Sequence, residues 1–515
     1  MSIQLKIPQD ISKIHKAFKQ SGKKLYVVGG AVRDAILGKN PKDFDLATDA
    51  KPVEVEEIAA KFGLKTIPLG KQFGVIVVDG HEIATFRKDI GKGRRPSAVD
   101  YTDIEGDVRR RDLTINALFY DIDRGEIVDL VGGIEDLKKK KIRTVGSAKQ
   151  RFDEDPLRKL RAIRFQSKLG GTLDKELMYA LQKDPSLKGV SSERIRDEFI
   201  KSIKTAKSTK VYMKTVDKVG MTNLILPNLK IHRPYPDEED YIVFLASILR
   251  NNSPKVLSNV LHSLSYTNKE RANIMFLISL QNFVPNKIVD YKRIQKKLDL
   301  TDSQIIRFGK LIGKDLRKFV NFKLSVGGRD VPDGISGRDI GIWITNKEIE
   351  KFINENLKEM GITDFKSLFK KMPSDLQKRV WGLKNFGQRL DKHPEGNVLK
   401  HTITVVNRSL KDNDIDIAIA AMFHDIGKDE TADIHPKKGH ITHFGHEKVS
   451  ANLVSKYKNW IKSVGGNPAN VYYIVKNHMR YKQLSQMRPS KQKKLKSFRA
   501  FDKLGKFSKH DRGGY

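Results

Sequence analysis

The stretch Val28-Gly-Gly-Ala-Val-Arg-Asp34, followed by Asp43-Phe-Asp45, predicts a phosphate-binding turn beside a pair of carboxylates. Gly29 and Gly30 lie where an apolar strand turns into a helix. Glycines at such a turn let backbone N–H groups approach phosphate oxygens, and the helix N-terminus adds partial positive charge. The guanidinium of Arg33 can add a forked pair of donors to a phosphate.

The two aspartates predict a metal site. Alternation along a strand places Asp43 and Asp45 on one face, and two close carboxylates are costly unless a divalent cation neutralises them. Mg²⁺ commonly uses one or two carboxylates plus substrate phosphates. Two such ions can activate an attacking hydroxyl and stabilise a leaving pyrophosphate. The alternative is a pair of solvated aspartates in a loop after Asn40-Pro41.

Around this stretch the sequence predicts a small mixed α/β unit that ends near residue 145. The Asp79-Gly80 turn between two apolar runs predicts a β-hairpin over 75–86. Two further strands are expected over 119–121 and 126–129. Helices are expected over 1–22 and 31–37 in this unit, and over 158–169, 175–181, 192–203 and 211–219 after it.

The rest of the chain has helical periodicity, so the predicted fold class is α+β, a small mixed-sheet domain followed by all-α domains. The Pro-rich segment at 233–237 predicts a boundary. A second helical block is expected over 240–380, interrupted by a turn-rich stretch at 326–337, and a third from about 385. The strongly basic stretch from Ser490 is expected to fray.

The composition favours a polyanionic partner. The 515 residues carry a formal net charge of +36, which suits nucleic acid; basicity that serves solubility alone is the alternative. The absence of cysteine excludes disulfides, thiolate nucleophiles and Cys-type zinc sites. The N-terminal residues lack the apolar core of a signal peptide, and no long apolar run occurs, so no membrane partner and a cytoplasmic location are expected.

From residue 26 to residue 199 the chain resembles the class II tRNA nucleotidyltransferase/bacterial poly(A) polymerase family. The motifs that carry the resemblance lie, in order, at 29–34, 43–48, 82–87, 94–96, 110–117, 142–146, 151–158, 161–165 and 192–195. So many motifs in one order are specific to the family. The resemblance implies a nucleotidyltransferase with a palm-like head domain.

The resemblance also implies roles for individual residues. Asp43 and Asp45 would be catalytic and hold Mg²⁺, with Glu82 as a third acidic group near the metals, and Asp112 would lie at the ribose hydroxyl. The segment 88–108 corresponds to the family's flexible loop, in which Gly91 and Gly93 permit movement. The nucleotide-binding residues that the resemblance implies are Gly29, Gly30, Arg33, Arg110, Arg111, Asp112, Asn116, Asp155, Arg158, Arg161 and Arg164.

Asp155 and Arg158 offer a physical basis for selecting bases. Their spacing predicts that they project from one side of a helix, and in the family such a pair acts as a template for the incoming base. Cytosine and adenine each present an amino donor beside a ring-nitrogen acceptor, which suits an Asp acceptor and an Arg donor. Uracil and guanine reverse this pattern, and each unpaired group costs on the order of 1–3 kcal/mol. The alternative, compatible interpretation is that Asp155 is an N-cap and Pro156 the first helical residue.

CCA addition and poly(A) synthesis use the same core in this family. The segment 190–198 is more similar to the CCA-adding members, and 332–340 is similar to a tRNA-binding tail element. The expected reaction is therefore transfer of CMP and AMP from CTP and ATP to the 3′ end of tRNA. Poly(A) synthesis, partial CCA addition and a vestigial transferase site that only binds RNA are the alternatives.

A second constellation lies in the C-terminal part. His401, His424-Asp425 and Asp502 follow the order of the HD phosphohydrolase superfamily, which they resemble. Imidazoles and carboxylates suit Mn²⁺, Fe, Co²⁺ or Ni²⁺, and such a metal can turn bound water into a nucleophile. His446 and His478 are expected to add ligands for a second metal. A degenerate HD fold kept for packing or RNA binding is the alternative. Surface positions are expected for His393, His435, His440 and His443.

The predicted domains follow from these motifs. They are 1–147 as the nucleotidyltransferase domain, 148–235 as a helical nucleotide-recognition and RNA-binding domain, 236–384 as a helical tRNA-binding body or tail, and 385–515 as an HD-type metal-dependent domain with a basic tail.

Overall fold

The computed structural model describes residues 5–41, 43–68, 70–90, 98–357, 360–388, 396–434 and 441–512. The chain folds into two compact units. The first comprises Met1–Gln281 and Asp299–Lys314, and the second comprises Asn282–Leu298 and Asp315–Tyr515. None of the helices in the described ranges combines the length and the apolar character needed to cross a membrane.

The strands of the first unit are β1 Leu25–Val28, β2 Asp45–Thr48, β3 Thr66–Ile67, β4 Val75–Val78, β5 His81–Thr85, β6 Arg87–Ile90, β7 Ala98–Tyr101, β8 Phe119–Asp121, β9 Glu126–Val128, β10 Lys141–Ile142 and β11 Thr172–Leu173. Seven of them form one mixed sheet in the order β3-β4-β5-β2-β1-β8-β9. β6 and β7 form a separate antiparallel pair, and β10 pairs in parallel with β11.

The predicted hairpin is confirmed as β4 and β5. Val78 pairs with His81, and the turn residues Asp79 and Gly80 have φ values of 46° and 87°. Left-handed values at both positions are those of a type I′ turn, whose twist matches the strands that it joins. The strand β2 then fits between β1, to which it is antiparallel, and β5, to which it is parallel.

The sheet buries both faces. Leu46 and Ile83 belong to one hydrophobic cluster, which includes residues of the flanking helices near the N-terminus. Val28 and Ala47 point to the other face, where they join Phe86 and other residues in a second cluster. Because side chains alternate along a strand, the register also determines the face of the sheet on which Asp45 and Glu82 lie.

The helices of the first unit are α1 Gln9–Gln20, α2 Gly30–Ile36, α3 Pro52–Lys61, α4 Ile104–Arg109, α5 Gly133–Lys138, α6 Ala148–Glu154, α7 Leu157–Leu169, α8 Lys175–Lys183, α9 Ser192–Thr205, α10 Thr209–Lys218, α11 Thr222–Ile225, α12 Tyr241–Leu249, α13 Pro254–Ser263, α14 Asn268–Ser279 and α16 Asp302–Leu311. The expected mixed sheet followed by helices is therefore confirmed. The first predicted helix is shorter than expected, because it starts only after Pro8.

The Pro-rich segment at 233–237 lies inside the first unit. Arg233 donates to Asp217 at 2.9 Å, and the Tyr235 hydroxyl donates to the same carboxylate at 2.8 Å. Arg307 of α16 forms a salt bridge with Glu238 at 2.8 Å. These contacts join the segment and Glu238, the residue after it, to helices on both sides of the predicted boundary. The division of the chain into four domains stays a prediction.

The helices of the second unit are α15 Ile288–Gln295, α17 Arg317–Asn321, α18 Arg338–Glu355, α19 Phe365–Phe369, α20 Ser374–Gly382, α21 Val398–Leu410, α22 Ile415–Phe423, α23 His446–Lys456, α24 Lys458–Ser463, α25 Pro468–Tyr481, α26 Pro489–Lys496 and α27 Phe501–Asp511. Its strands β12 Asp433–Ile434 and β13 Ile441–Thr442 pair antiparallel. One hydrophobic cluster contains Leu376 and Val380 of α20 together with Ile419 of α22 and Ile474 of α25.

The basic stretch after Ser490 does not fray as expected, because it forms α26 and α27. Leu504 and Phe507 of α27 have no exposed surface. Their spacing of three gives the helix one apolar stripe, and the lysines lie around it. Burial of this apolar stripe stabilises the helix by more than the repulsion among its cations destabilises it. The prediction of fraying considered only the charge.

Candidate active sites

The register of the sheet brings the predicted carboxylates to the predicted phosphate turn. Asp45 pairs with Val28, the residue before Gly29, and Leu46 pairs with Ile83 on the other side. Glu82 therefore lies beside Asp45 on the same face, and alternation adds Asp43. All three side chains are exposed, and no lysine or arginine within the described ranges pairs with them. Three acceptor-only groups without a cation suit Mg²⁺.

The turn itself has the expected form. Gly29 precedes α2 with a φ of 69°, a value that favours glycine. Its N–H donates to the Leu118 carbonyl at 3.0 Å, which fixes the turn against β8. Gly30 opens the helix, so the N–H groups of the first turn have no partners inside the helix. They are available to a phosphate.

A buried carboxylate supports the arginine motif that follows α4. Asp107 is 1% exposed; it accepts from Arg110 at 2.8 Å and from Arg111 at 3.1 and 3.0 Å. Burial alone would raise the pKa of Asp107, but the charges of Arg111 and Arg110 outweigh it and lower that pKa. The Arg111 guanidinium also lies 4.6 Å from the centre of the Phe119 ring. Asp107 was not predicted as a site residue.

Four predicted nucleotide-binding residues form one hydrogen-bonded series. Arg33 donates to Asn116 Oδ1 at 2.6 Å, and Asn116 Nδ2 donates to Asp112 Oδ1 at 3.4 Å. Arg161 of α7 then donates to Asp112 Oδ2 at 2.7 Å. Burial opposes the ionised form of Asp112, but the charge and hydrogen bond of Arg161 lower its pKa to about 2. The series, called here the Arg33–Arg161 network, joins the glycine turn to α7.

Asp155 is not on a helix, which corrects the prediction for this pair. It lies between α6 and α7 with an extended backbone, because the proline that follows disfavours helical geometry. Its Oδ1 accepts from the Leu157 N–H at 3.2 Å, as expected of a cap, and its Oδ2 accepts from Arg194 at 2.7 Å. Arg158 donates to the Arg110 carbonyl at 2.9 Å and to Glu154 at 2.6 Å.

Arg164, also predicted to bind nucleotide, is a buried ion-pair partner. It is 3% exposed, and its Nε donates to Glu198 at 2.5 Å. Its guanidinium lies 4.3 Å from the centre of the Phe165 ring. This arrangement positions α7 against α9 and leaves Arg161 as the more exposed arginine of the two. The nucleotide-binding role of Arg164 stays a prediction.

The loop predicted over 88–108 is described only in part. Its ends form the antiparallel pair β6 and β7, which continues into α4. Gly91 and Gly93 lie outside the described residues, as do the motif at 94–96 and His393, His435 and His440.

The second unit brings five of the six predicted HD residues together. The structure contains two groups whose possible ligand atoms all lie within 4.8 Å of one another: His401, His424 and Asp425, and Asp425, His446 and His478. All five are buried, and Asp425 belongs to both groups. His401, His446 and His478 lie on α21, α23 and α25, and His424 and Asp425 directly follow α22, so the cluster depends on the packing of these helices.

The imidazoles of this cluster are oriented for metal binding. The Nδ1 atoms of His424, His446 and His478 lie 2.8, 2.7 and 2.7 Å from backbone carbonyl oxygens. A carbonyl can only accept, so Nδ1 carries the proton and Nε2 presents its lone pair to the cluster. The Nε2 atoms of His446 and His478 are 3.2 Å apart, and the buried His424 Nε2 has no hydrogen-bond partner among the described residues. Facing lone pairs need a cation between them.

The carboxylate that completes the cluster is Asp511, not the predicted Asp502. Asp511 Oδ1 lies 3.0 Å from His401 Nε2 and 3.6 Å from His424 Nε2, whereas Asp502 is exposed. The sequence holds a signal for this choice, because Leu504, Phe507 and Asp511 are spaced for one helix face. Asp502 lies on another face.

The electrostatics of the cluster keep its carboxylates ionised. Burial would raise the pKa of Asp425, but its contacts with His424 and the charge of Lys428 hold it well below its usual range. Asp511 behaves likewise, mainly through its hydrogen bond with His401. Burial lowers the pKa of His478 to about 3, so this ring is neutral, as a metal ligand must be. The groups fit one or two divalent cations.

His443, expected at the surface, is half-buried beside this cluster. Its Nδ1 lies 3.2 Å from the Lys428 carbonyl oxygen, and its buried Nε2 has no hydrogen-bond partner in the part of the chain that the structure describes. Burial lowers its pKa. The His443 carbonyl also lies against Nδ1 of His446, three residues later. Nothing in the local sequence distinguishes His443 from histidines at the surface.

Two family models match the chain. Residues 25–143 match the Poly A polymerase head domain, and residues 398–501 match the HD domain. The chain is 44% identical to the CCA-adding enzyme of Bacillus pumilus over 210 residues, which are 38% of this chain and 51% of that enzyme. It is 44% identical to the Bacillus subtilis CCA-adding enzyme over 190 residues, 35% of this chain and 47% of that enzyme. The chain spans about half the length of these relatives.

Solved structures show the same fold over a longer region. A CCA-adding enzyme in apo form II aligns with a TM-score of 0.53 at 21% identity, over 67% of this chain and 92% of that one. The Thermotoga maritima CCA-adding enzyme complexed with tRNA aligns with a TM-score of 0.51 at 20% identity, over 67% and 92%. Residues 25–143 are therefore similar to the Poly A polymerase head domain and residues 398–501 to the HD domain, and a stretch of about 200 residues is similar to CCA-adding enzymes.

Proposed function

We propose that this chain is a CCA-adding tRNA nucleotidyltransferase that transfers CMP and AMP from CTP and ATP to the 3′ end of tRNA. The observation that carries the proposal is the Arg33–Arg161 network, which joins the phosphate turn to α7 through Asn116 and Asp112. Two solvated aspartates in a loop, the alternative interpretation, would not require such a network beside them. The 44% identity to a CCA-adding enzyme supports CCA addition over other nucleotidyl-transfer reactions.

The residues at the turn have distinct tasks in this reaction. Asp43 and Asp45, with Glu82 beside them, would hold Mg²⁺, which when bound helps to activate the terminal hydroxyl of the RNA and to stabilise the leaving pyrophosphate. Gly29 and Gly30 present backbone donors to the triphosphate. Arg33 adds a fixed guanidinium that Asn116 orients, so little side-chain entropy is lost when the nucleotide binds.

Base selection rests on Asp155 and Arg158. Both side chains form hydrogen bonds within the protein: Arg194 donates to Oδ2 of Asp155, and Arg158 donates to Glu154. A cytosine or adenine amino group can still donate to the Asp155 carboxylate, since each oxygen has two lone pairs. We expect Arg194 to act as a positioning residue that fixes this acceptor. Its replacement by alanine should raise misincorporation of UTP more than it lowers incorporation of CTP.

The direct test is incorporation into a tRNA that ends before CCA, with each nucleoside triphosphate alone and with all four together, followed by sequencing of the ends. CTP and ATP should be added and UTP and GTP excluded. The double variant Asp43→Asn/Asp45→Asn should lose activity. Asp49→Asn is the matched control, because Asp49 is also exposed but accepts from the Lys24 N–H instead of facing the turn.

Other outcomes of this test separate the alternatives. Long tails made from ATP alone would indicate a poly(A) polymerase. Addition of C without A would indicate partial CCA synthesis. Salt-sensitive RNA binding without incorporation of any nucleotide would show that the transferase site is vestigial, and full activity in the Asp43→Asn/Asp45→Asn variant would contradict the metal site.

We also propose that the second unit is a metal-dependent phosphohydrolase. The supporting observation is the set of inward Nε2 lone pairs around Asp425, which suits Mn²⁺, Fe, Co²⁺ or Ni²⁺. His401, His424, Asp425, His446 and His478 would hold the metal, which when bound would supply an activated water as the nucleophile for phosphoester cleavage. Purified protein should contain such a metal and hydrolyse phosphomonoesters or 2′,3′-cyclic nucleotides, and His424→Ala should lose both. Metal content unchanged in His424→Ala would refute this proposal.

A further inference from the structure

We propose that a basic groove on the second unit binds single-stranded RNA, apart from the two sites described above. The groove lies between α25 and α26, is closed at one side by the start of α24, and encloses about 1050 Å³. The cations that line it are Lys458, Lys476, Arg480, Lys491 and Lys494, and none of the described residues that line it is acidic. We call it the α25–α26 groove.

Helical spacing arranges these charges in two rows. Lys476 and Arg480 follow Tyr472 at intervals of four on α25, and Lys491 and Lys494 are three apart on α26; both intervals place side chains on one face. The five cations are exposed and have no salt-bridge partner among the residues that the structure describes. Their charge is therefore available to successive phosphates of a strand.

Aromatic rings favour a nucleic acid over other polyanions. Tyr473 of α25 and Phe498, two residues after α26, stack at the base of the groove with ring centres 4.2 Å apart and planes 15° from parallel. Tyr472 is half-buried, and Lys476 Nζ lies 5.2 Å from the centre of its ring. Grooves for single-stranded nucleic acid combine cations along the backbone with rings on which bases stack. An acidic peptide or an anionic lipid surface needs only the cations.

The groove is separate from the metal cluster of the same unit. His478 follows Lys476 by two residues on α25, which turns it by about 200° around the helix. It is 1% exposed and faces the other histidines. α25 therefore has His478 on one side and the row of cations on the other. Substitutions in the groove should leave the residues of the histidine cluster in place.

The proposal can be tested by photocrosslinking of the full chain to a short single-stranded RNA that carries 4-thiouridine, with mass-spectrometric mapping of the attachment points. Crosslinks are expected in the peptides that contain Tyr472 and Phe498. In Lys491→Ala/Lys494→Ala their yield at subsaturating protein should fall about 25-fold at roughly 0.1 M salt, because each phosphate contact on a single strand is worth about fivefold there relative to 1 M. Tyr472→Phe should keep the crosslinks, and Tyr472→Leu should reduce them about fivefold or more.

The matched control is Lys493→Ala/Lys496→Ala. It removes the same charge from the same helix, but both lysines line a separate depression on another face. If the two double variants lowered the crosslinking yield equally, the RNA would be held by the overall positive charge of the helix and not by the groove, and the proposal would fail. The proposal would also fail if all crosslinks fell in the first unit, or if the groove variants weakened binding to anionic vesicles and left the RNA crosslinks unchanged.

Discussion

Replacement of Asp107 by asparagine should lower the stability of the first unit and weaken nucleotide binding at its proposed site. The carboxylate is 1% exposed and receives three hydrogen bonds from two guanidinium groups. Breaking a buried pair by removing one charge costs about 3–5 kcal/mol. The side chains of Arg110 and Arg111 are 21% and 16% exposed, so water recovers part of this loss. We therefore expect a decrease of about 3 kcal/mol in the free energy of unfolding.

The assay must report on the first unit. All three tryptophans, Trp343, Trp381 and Trp460, belong to the second, so their fluorescence is uninformative here. Hydrogen exchange of peptides from α4 to β8, measured across a urea series, follows the right region. The same variant should raise the KM for CTP more than it lowers kcat, because the arginines lose their orientation.

Glu105→Gln serves as the control for Asp107→Asn. Glu105 is on the same helix and pairs with Arg109, but its side chain is 62% exposed, and exposed pairs contribute only about 0–1 kcal/mol. Its effect should stay below about 0.5 kcal/mol. A loss of less than about 1 kcal/mol in Asp107→Asn would refute the argument that this carboxylate organises the arginine motif.

Three further predictions concern the second unit. Asp511→Asn should lower metal content measured by mass spectrometry, whereas Asp502→Asn should not, and equal losses would contradict the assignment of Asp511. Gly427→Ala should destabilise the unit by about 1–3 kcal/mol in a urea series followed by tryptophan fluorescence, because the added carbon would lie 2.6 Å from the His446 carbonyl oxygen; an unchanged midpoint would refute this. Lys503→Met should cost about 3–5 kcal/mol at neutral pH, because three carboxylates lie within 3.1 Å of its Nζ. Carboxylates left without a cation have raised pKa values, so the variant should lose stability as pH rises from 4 to 7 by more than the parent protein does, and a parallel pH profile would contradict this.

The sequence predicts those parts of the two sites that depend on local order. The Asp79-Gly80 hairpin follows from turn chemistry, and its second strand, β5, pairs with β2 so that Glu82 lies beside Asp45. The adjacent pair His424-Asp425 is likewise visible without a structure. In each case the residues that matter are close along the chain, so periodicity and spacing are sufficient.

Contacts between distant residues limit what the sequence can predict. Arg164 is 34 positions from Glu198, and nothing in its neighbourhood shows that its charge is neutralised in the interior. Asp155 and Asp511 are different cases, because a signal was present. The proline after Asp155 excludes it from the helix, and the apolar stripe of α27 selects Asp511 over Asp502.

The metal cluster has a consequence for how the second unit folds. His401 and Asp511 are 110 positions apart, so the cluster forms only after a long loop closes. Such contacts slow folding, because chain entropy is lost before the contacts form. A divalent cation that binds the completed cluster and not the unfolded chain stabilises the folded unit in proportion to the logarithm of its free concentration. Because we propose that this cluster binds a divalent cation, metal supply during synthesis should raise the yield of folded protein, independently of any catalysis.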